Sequence, residues 1–235
     1  MENKYIHASE LHAAVKCELR WTNNASEGGS QFYPVSAWIG SCVHARIAGL
    51  KEPTPEFMKF DKLTPSLTIA RRQIEQIHEA IENYLKLNCF EIIDHELNYY
   101  QYRHESWPIN MFLTGSADAY GKDSEGQTFL MDFKTGAAQD LQGYFLQMGA
   151  YRILDRYTHE RETDNLIILH APRPENILTL PKVVMHQSSC PDEVEDHVES
   201  LLHRLSDIYS NPALATACPG MYCKYCDYSD CGFKL

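Results

Sequence analysis

Apolar positions along this chain fall first into helical spacing, then into alternating strands, then into a mixture of the two. Leu11, Val15 and Leu19 recur every four residues behind Ser9, a residue type that caps helices, and predict a helix over residues 9–20. The stretch 23–30, rich in Asn, Ser and Gly, predicts a loop. Ile39, Val43 and Ile47 define a second helix behind Ser36, with His44 beside the apolar face and Pro53 and Pro55 breaking the pattern. Ile69, Ile74, Ile77, Ile81 and Leu85 make residues 66–87 the longest helical run. The period then changes. Residues 91–100 and 110–120 predict strands, 121–126 a polar hairpin turn, and 128–133 a third strand. Residues 140–157 return to helical spacing, 166–169 and 179–186 predict two more strands around a loop with Pro172 and Pro174, and 191–209 predict a final amphipathic helix.

Helices, a β-meander, then helix, strands and helix predict an α/β fold: a mixed β-sheet flanked by helices, all in one domain spanning residues 1–235. A hydrophobic share of 44% is enough to bury a core. No window approaches the roughly twenty apolar residues of a membrane span, and no basic-then-apolar leader opens the chain, so a cytoplasmic protein without membrane contact is expected. In such a reducing compartment eight cysteines point to metal or catalysis rather than disulfides.

Two constellations carry chemistry. The first is Gly115-Ser-Ala-Asp118, then Asp132-Phe133-Lys134, then Gln147-Met-Gly-Ala-Tyr151. Pairing of the two predicted strands would bring Asp118 and Asp132 toward one cleft. The strand period of two puts Asp132 and Lys134 on one face. Gln147 and Tyr151, four apart on a helix, share another. Carboxylates suit hard ions such as Mg²⁺ or Mn²⁺, which can polarise a phosphodiester and activate water. An isolated Asp-x-Lys arises by chance about once in a chain this long, so order and spacing carry the signal. A net charge of −11 opposes metal-independent DNA binding. Local positive candidates are Arg46, Arg71, Arg72, Arg152, Arg156 and Arg173. Trp21, Trp38, Tyr99, Tyr100 and Trp107 are aromatics able to stack on bases.

The second constellation is the tail Cys218, Cys223-x-x-Cys226 and Cys231, whose four thiolates match a tetrahedral Zn²⁺. Cys42 and Cys89, in apolar helical patterns, read as small buried hydrophobes; Cys190 precedes the last helix without a role.

Together these runs resemble the RecB-like branch of the PD-(D/E)XK nucleases, over nearly the whole chain from Ser9 to Cys231. The resemblance implies a restriction-endonuclease-like core over residues 91–186, a helical cap over 36–90 and a cluster-binding tail over 218–231. It makes His44, in Gly40-x-x-x-His44, a metal ligand with Asp118, Asp132 and the carbonyl of Phe133. Lys134 positions water, Gln147 and Tyr151 support the site, and Glu96 is an auxiliary acid. It also implies a 4Fe–4S cluster of the AddB and CRISPR-associated exonuclease kind, ligated by Cys17, Cys223, Cys226 and Cys231. That cluster would staple the two ends of the chain together. The family's last tail spacing is usually five residues, and here it is four. No nucleotide-binding Gly-x-x-x-x-Gly-Lys loop appears, so the implied activity is a free-standing DNA exonuclease on single-stranded ends, in phage or mobile-element DNA processing, recombination or repair. A helicase or recombination partner and a ring-like oligomer are compatible with it. The alternatives are a structure-specific endonuclease of the same fold, or a non-catalytic DNA-binding module stapled by zinc.

Overall fold

The computed structural model describes residues 3–27, 35–54, 67–108, 110–136, 141–174, 176, 178–219, 223 and 231. In chain order these form β1 (Lys4–His7), α1 (Leu11–Lys16), α2 (Glu18–Glu27), α3 (Val35–Ile47), α4 (Leu67–Leu87), β2 (Glu91–Tyr102), β3 (Met111–Lys122), β4 (Thr128–Lys134), α5 (Leu141–His159), β5 (Asn165–His170), β6 (Val184–Ser188) and α6 (Pro191–Ser210).

The sheet is mixed, as expected. β3 is its spine. Its antiparallel partner β2 runs along one edge, pairing from Leu113 to Lys122. The opposite edge is shared: β1 pairs in parallel with residues 111–114, and β4 pairs antiparallel with 119–122. Residues 115–118 therefore face a gap between two neighbours. β5 continues in parallel from β4 through the α5 crossover, and β6 closes antiparallel.

Side-chain alternation separates two cores. Ala119, Phe129, Met131, Phe133, Ile167 and Leu169 pack under α3 and α4 through Trp38, Ile39, Val43, Ile74, Ile77 and Ile81. On the other face Leu113, Leu130, Leu166 and Ile168 meet α1, α5 and α6. With strands covered on both faces, β5 reads as a continuous apolar run.

Several expectations need correction. The helix over 9–20 is three pieces: a 3-10 turn (Ala8–Glu10), then α1, then α2, broken at Cys17, whose backbone is extended. Residues 23–27 continue α2 rather than forming a loop, and 28–30 lie outside the described residues. Ser9 and Ser36 fall inside helical segments and cap neither. Gly121 belongs to β3, because the hairpin turns at 123–127. A side chain there would collide with the Glu91 carbonyl and the Phe129 ring. The strand expected over 179–186 starts only at Val184. β1 escaped notice because four residues are too few to set a period. Cys42 is buried as expected, but Cys89 is exposed, with φ 54°, in the turn after α4.

The aromatics Trp21, Trp38, Tyr99 and Trp107 are core residues, so none is available to stack on bases. Most of the candidate arginines are also occupied. Arg152 and Arg156 converge on Glu195 of α6 at 2.7 and 2.6 Å, Arg72 pairs with Glu75 at 3.0 Å, and Arg46 pairs with Glu52. Arg71 and Arg173 have no acidic partner among the described residues.

The two ends of the chain are tied by Glu18. Its carboxylate accepts two bonds from Arg204 of α6, at 2.8 and 2.9 Å, and two from Thr216 in the tail, at 2.9 and 2.7 Å. The Leu19 N–H donates to the Thr216 carbonyl at 3.1 Å. The Arg204 bond leads in holding the Glu18 carboxyl down at about 2, against a smaller opposing effect of burial. A depressed carboxyl adds stability that is full above its ordinary value of 4.5 and is lost as pH falls toward 2. Glu18→Gln should cost about 1 kcal/mol at neutral pH. The deficit relative to the unmutated chain should shrink on acidification through that window, as measured by urea unfolding at a series of pH values.

Candidate active site

The gap in the β3 edge is where the polar side chains collect. The β3–β4 ladder ends at Ala119↔Met131, and one step further the two strands present Asp118 and Asp132. Asp118 replaces the missing ladder bond: its Oδ2 accepts from the Phe133 N–H at 2.6 Å. Its Oδ1 faces His44 Nδ1 of α3 at 3.0 Å. α3 can come this close because Gly40 has no side chain; a Cβ there would lie 3.0 Å from Thr135 Oγ1, just past β4. The His44 ring stands edge-on to Phe133, 6.2 Å between centroids.

β2 adds Glu96. It stands beside Asp118 on the neighbouring strand, between the pairs His95↔Ala119 and Leu97↔Ala117, with a left-handed φ of 49°. A non-glycine residue held in that region marks a position whose surroundings over-determine it. One ligand atom each from His44, Glu96 and Asp118 lie within 4.8 Å of one another. An imidazole nitrogen and carboxylate oxygens form a donor set that fits a divalent cation.

At the end of β4, Lys134 Nζ pairs with Asp132 Oδ2 at 2.7 Å. The same ammonium lies 3.4 Å from Gln147 Oε1 and 4.9 Å from the centre of the Tyr144 ring, both on α5. Gln147 Nε2 in turn donates to the Tyr151 hydroxyl. Of the residues expected here, His44, Asp118, Asp132, Phe133, Lys134, Gln147 and Tyr151 are all brought together. Tyr144 was missed, although it is three residues before Gln147 and so on the same helix face. The prominence of Glu96 was underestimated, since nothing in a strand's spacing reports a φ reversal.

The charges respond to each other. Burial pushes the Asp132 carboxyl up to about 6, Lys134 pulling it down and Asp118 adding to the rise. Burial and Asp118 both raise Glu96. Burial favours a neutral His44, yet the adjacent Asp118 and then Asp132 outweigh it and lift the imidazole to about 9. Lys134 is likewise raised, the Asp132 carboxylate overcoming burial, so it stays an ammonium. Carboxylates crowded to the point of raised pKa, with fixed cations beside them, are arranged to receive positive charge and then a phosphate.

The model of the PD-(D/E)XK nuclease superfamily matches residues 6–231, and the chain belongs to that superfamily. It is accordingly a metal-dependent nuclease, of a class that uses divalent ions such as Mg²⁺ and Mn²⁺. Among solved structures it is similar to a candidate exonuclease from Eubacterium rectale, at 14% identity and a TM-score of 0.60, over 95% of this chain and 88% of that one. A phage-related exonuclease from Haemophilus somnus 129PT matches at 13% identity and a TM-score of 0.43, over 90% and 96%. The first likeness bears on the fold. No curated protein matches the sequence. Among the described residues no helix is long and apolar enough to cross a membrane.

The Gly-x-x-Asp motif gains a physical meaning from Tyr151. A Cβ on Gly115 would lie 2.8 Å from the Tyr151 ring and 3.2 Å from Ala8. Gly115→Val should therefore cost roughly 1–3 kcal/mol by overpacking. Thermal melting measures that cost, and a cutting rate falling more than stability does would report displacement of Tyr151.

Proposed function

We propose that the chain is a DNA exonuclease acting on single-stranded ends, with His44, Asp118, Asp132 and the Phe133 carbonyl as ligands of Mg²⁺ or Mn²⁺. The observation that carries this reading is the convergence of His44, Glu96 and Asp118 within 4.8 Å, next to a lysine that is 2.7 Å from Asp132. Glu96 joins the ligand set or orders its water. A divalent ion held there supplies Lewis-acid polarisation of the phosphate and a more acidic attacking water. Lys134, kept as an ammonium by Asp132, donates to that water or to a phosphate oxygen and so fixes the line of attack. Gln147 restrains Nζ from behind, and Tyr151 fixes the rotamer of Gln147. The acidic chain fits this assignment because substrate affinity then depends on the ion rather than on a basic surface.

The cap over 36–90 supplies α3 and α4, which place His44 at the cleft and, on this reading, line the path of the strand. Residues 91–186 form the catalytic core and 218–231 the tail of the same domain. A single-stranded substrate, a role in recombination, repair or phage DNA processing, a cytoplasmic setting and an associated motor or recombination protein belong to the same reading.

The 4Fe–4S cluster on Cys17, Cys223, Cys226 and Cys231 is the second part of the proposal, with Zn²⁺ on the tail thiolates as its rival. Cys226 lies outside the described residues. Support comes from Cys17: it occupies the break before α2, and the next two residues bind Thr216, two positions before Cys218. The upstream thiol and the cysteine tail thus start from one place, as a cluster closing both termini requires.

End-labelled single- and double-stranded DNA, incubated with Mn²⁺ and anaerobically purified protein, tests both parts. Lys134→Ala should lose cutting by about a hundredfold or more while its melting curve and iron content stay unchanged. Cys226→Ser should lose iron, sulfide and melting temperature together. Zinc in place of iron would remove the cluster from the account. Metal loading and DNA retention without any cleavage would favour the non-catalytic binding module, and cuts at internal positions the endonuclease.

A further inference from the structure

The helix face that carries Gln147 and Tyr151 does not end with them. At the same four-residue spacing α5 continues with Asp155 and His159. Asp155 has no exposed surface, which is costly for a carboxylate in the middle of a helix unless something requires it there. Its Oδ1 is 2.8 Å from Nδ1 of the partly exposed His159. Its Oδ2 and the Tyr99 hydroxyl are both buried, and the Asp155 carboxyl interacts at close range with that hydroxyl.

Tyr99 is the link back to the site. It lies on β2 directly across from Gly115, so its ring is beside the space into which Tyr151 inserts. Its centroid is 6.1 Å from the Tyr151 ring and 5.8 Å from the His159 ring. One aromatic ring therefore spans two turns of α5, with Asp155 between its two contacts.

We propose that Asp155 and His159 are positioning residues: they hold Tyr99 against Tyr151, which holds Gln147 against Lys134. The chain runs from the surface at His159 to the ammonium at the cleft. This inference rests on the assignment of Lys134, Gln147 and Tyr151 proposed above, and it adds residues that contact neither metal nor substrate. Their effect must pass through Gln147, which separates a positioning role from a merely structural one.

The test measures kcat, KM and melting temperature for His159→Ala, His159→Gln, Asp155→Asn and Tyr99→Phe, each alone and combined with Gln147→Ala. His159→Ala alters a partly exposed residue and spares the core, so it remains informative even where Asp155→Asn folds poorly. Positioning requires that His159→Ala lower kcat about tenfold with KM unchanged, and that Gln, which keeps an N–H donor, restore most of it. In the Gln147→Ala background the same substitutions should have no further effect on kcat. Unchanged kcat in His159→Ala and Tyr99→Phe, or equal proportional losses with and without Gln147, would overturn the inference while leaving the nuclease assignment intact. Cutting by Lys134→Ala at the rate of the unmutated protein would instead remove the assignment, and this inference with it.

Discussion

The contact on which the site depends is the one Asp118 makes across the end of the β3–β4 ladder. Backbone pairing stops at Ala119↔Met131, and there the strands diverge. The Asp118 carboxylate takes over, one oxygen accepting the Phe133 N–H and the other meeting His44. A single side chain thereby fixes two strands and a helix relative to one another. Charge-assisted bonds to a carboxylate are shorter and stronger than neutral ones, so divergence costs little order. The gap is a product of topology: β1 and β4 share one edge of β3 and leave residues 115–118 between them.

Two glycines let the helices reach that gap. Gly40 brings α3 onto Thr135, and Gly115 admits the Tyr151 ring. In both cases the small residue is near a polar one in sequence, Gly40 before His44 and Gly115 before Asp118. The pairing of a glycine with a nearby functional residue thus has a packing cause. Backbone must approach backbone, or a ring must rest on backbone, before the polar group can reach the cleft.

Most of this was legible in the sequence wherever a feature depended on period. The strand ending in Asp132 and Lys134, the Gln147/Tyr151 helix face and the apolar face of α4 all follow from spacing alone. What was illegible depended on contacts between distant segments. Cys17 breaks a helix whose pattern looked continuous, because Glu18 is bound to Arg204 and Thr216 nearly two hundred residues away in sequence. β1 is a strand because β3 offers an edge to pair with. Glu96 turns toward His44 through a φ reversal that hydropathy cannot encode. Trp21, Trp38, Tyr99 and Trp107, candidates for base stacking, are core residues, since composition does not distinguish a buried ring from an exposed one.

The acidic balance, at first an objection to a nucleic-acid enzyme, follows from how the fold uses its cations. Arg152 and Arg156 hold α6 through Glu195, Arg161 binds Asp94, and Arg204 anchors Glu18. These guanidinium groups are internal fasteners rather than a surface for phosphate. At the cleft the same logic continues: Lys134 pairs with Asp132, whose carboxyl burial pushes up, and His44 pairs with Asp118. A site organised this way repels a polyanion until a divalent cation enters. On the proposed reading, metal loading and substrate binding are therefore one coupled event, and the dependence of affinity on the ion should exceed its dependence on monovalent salt.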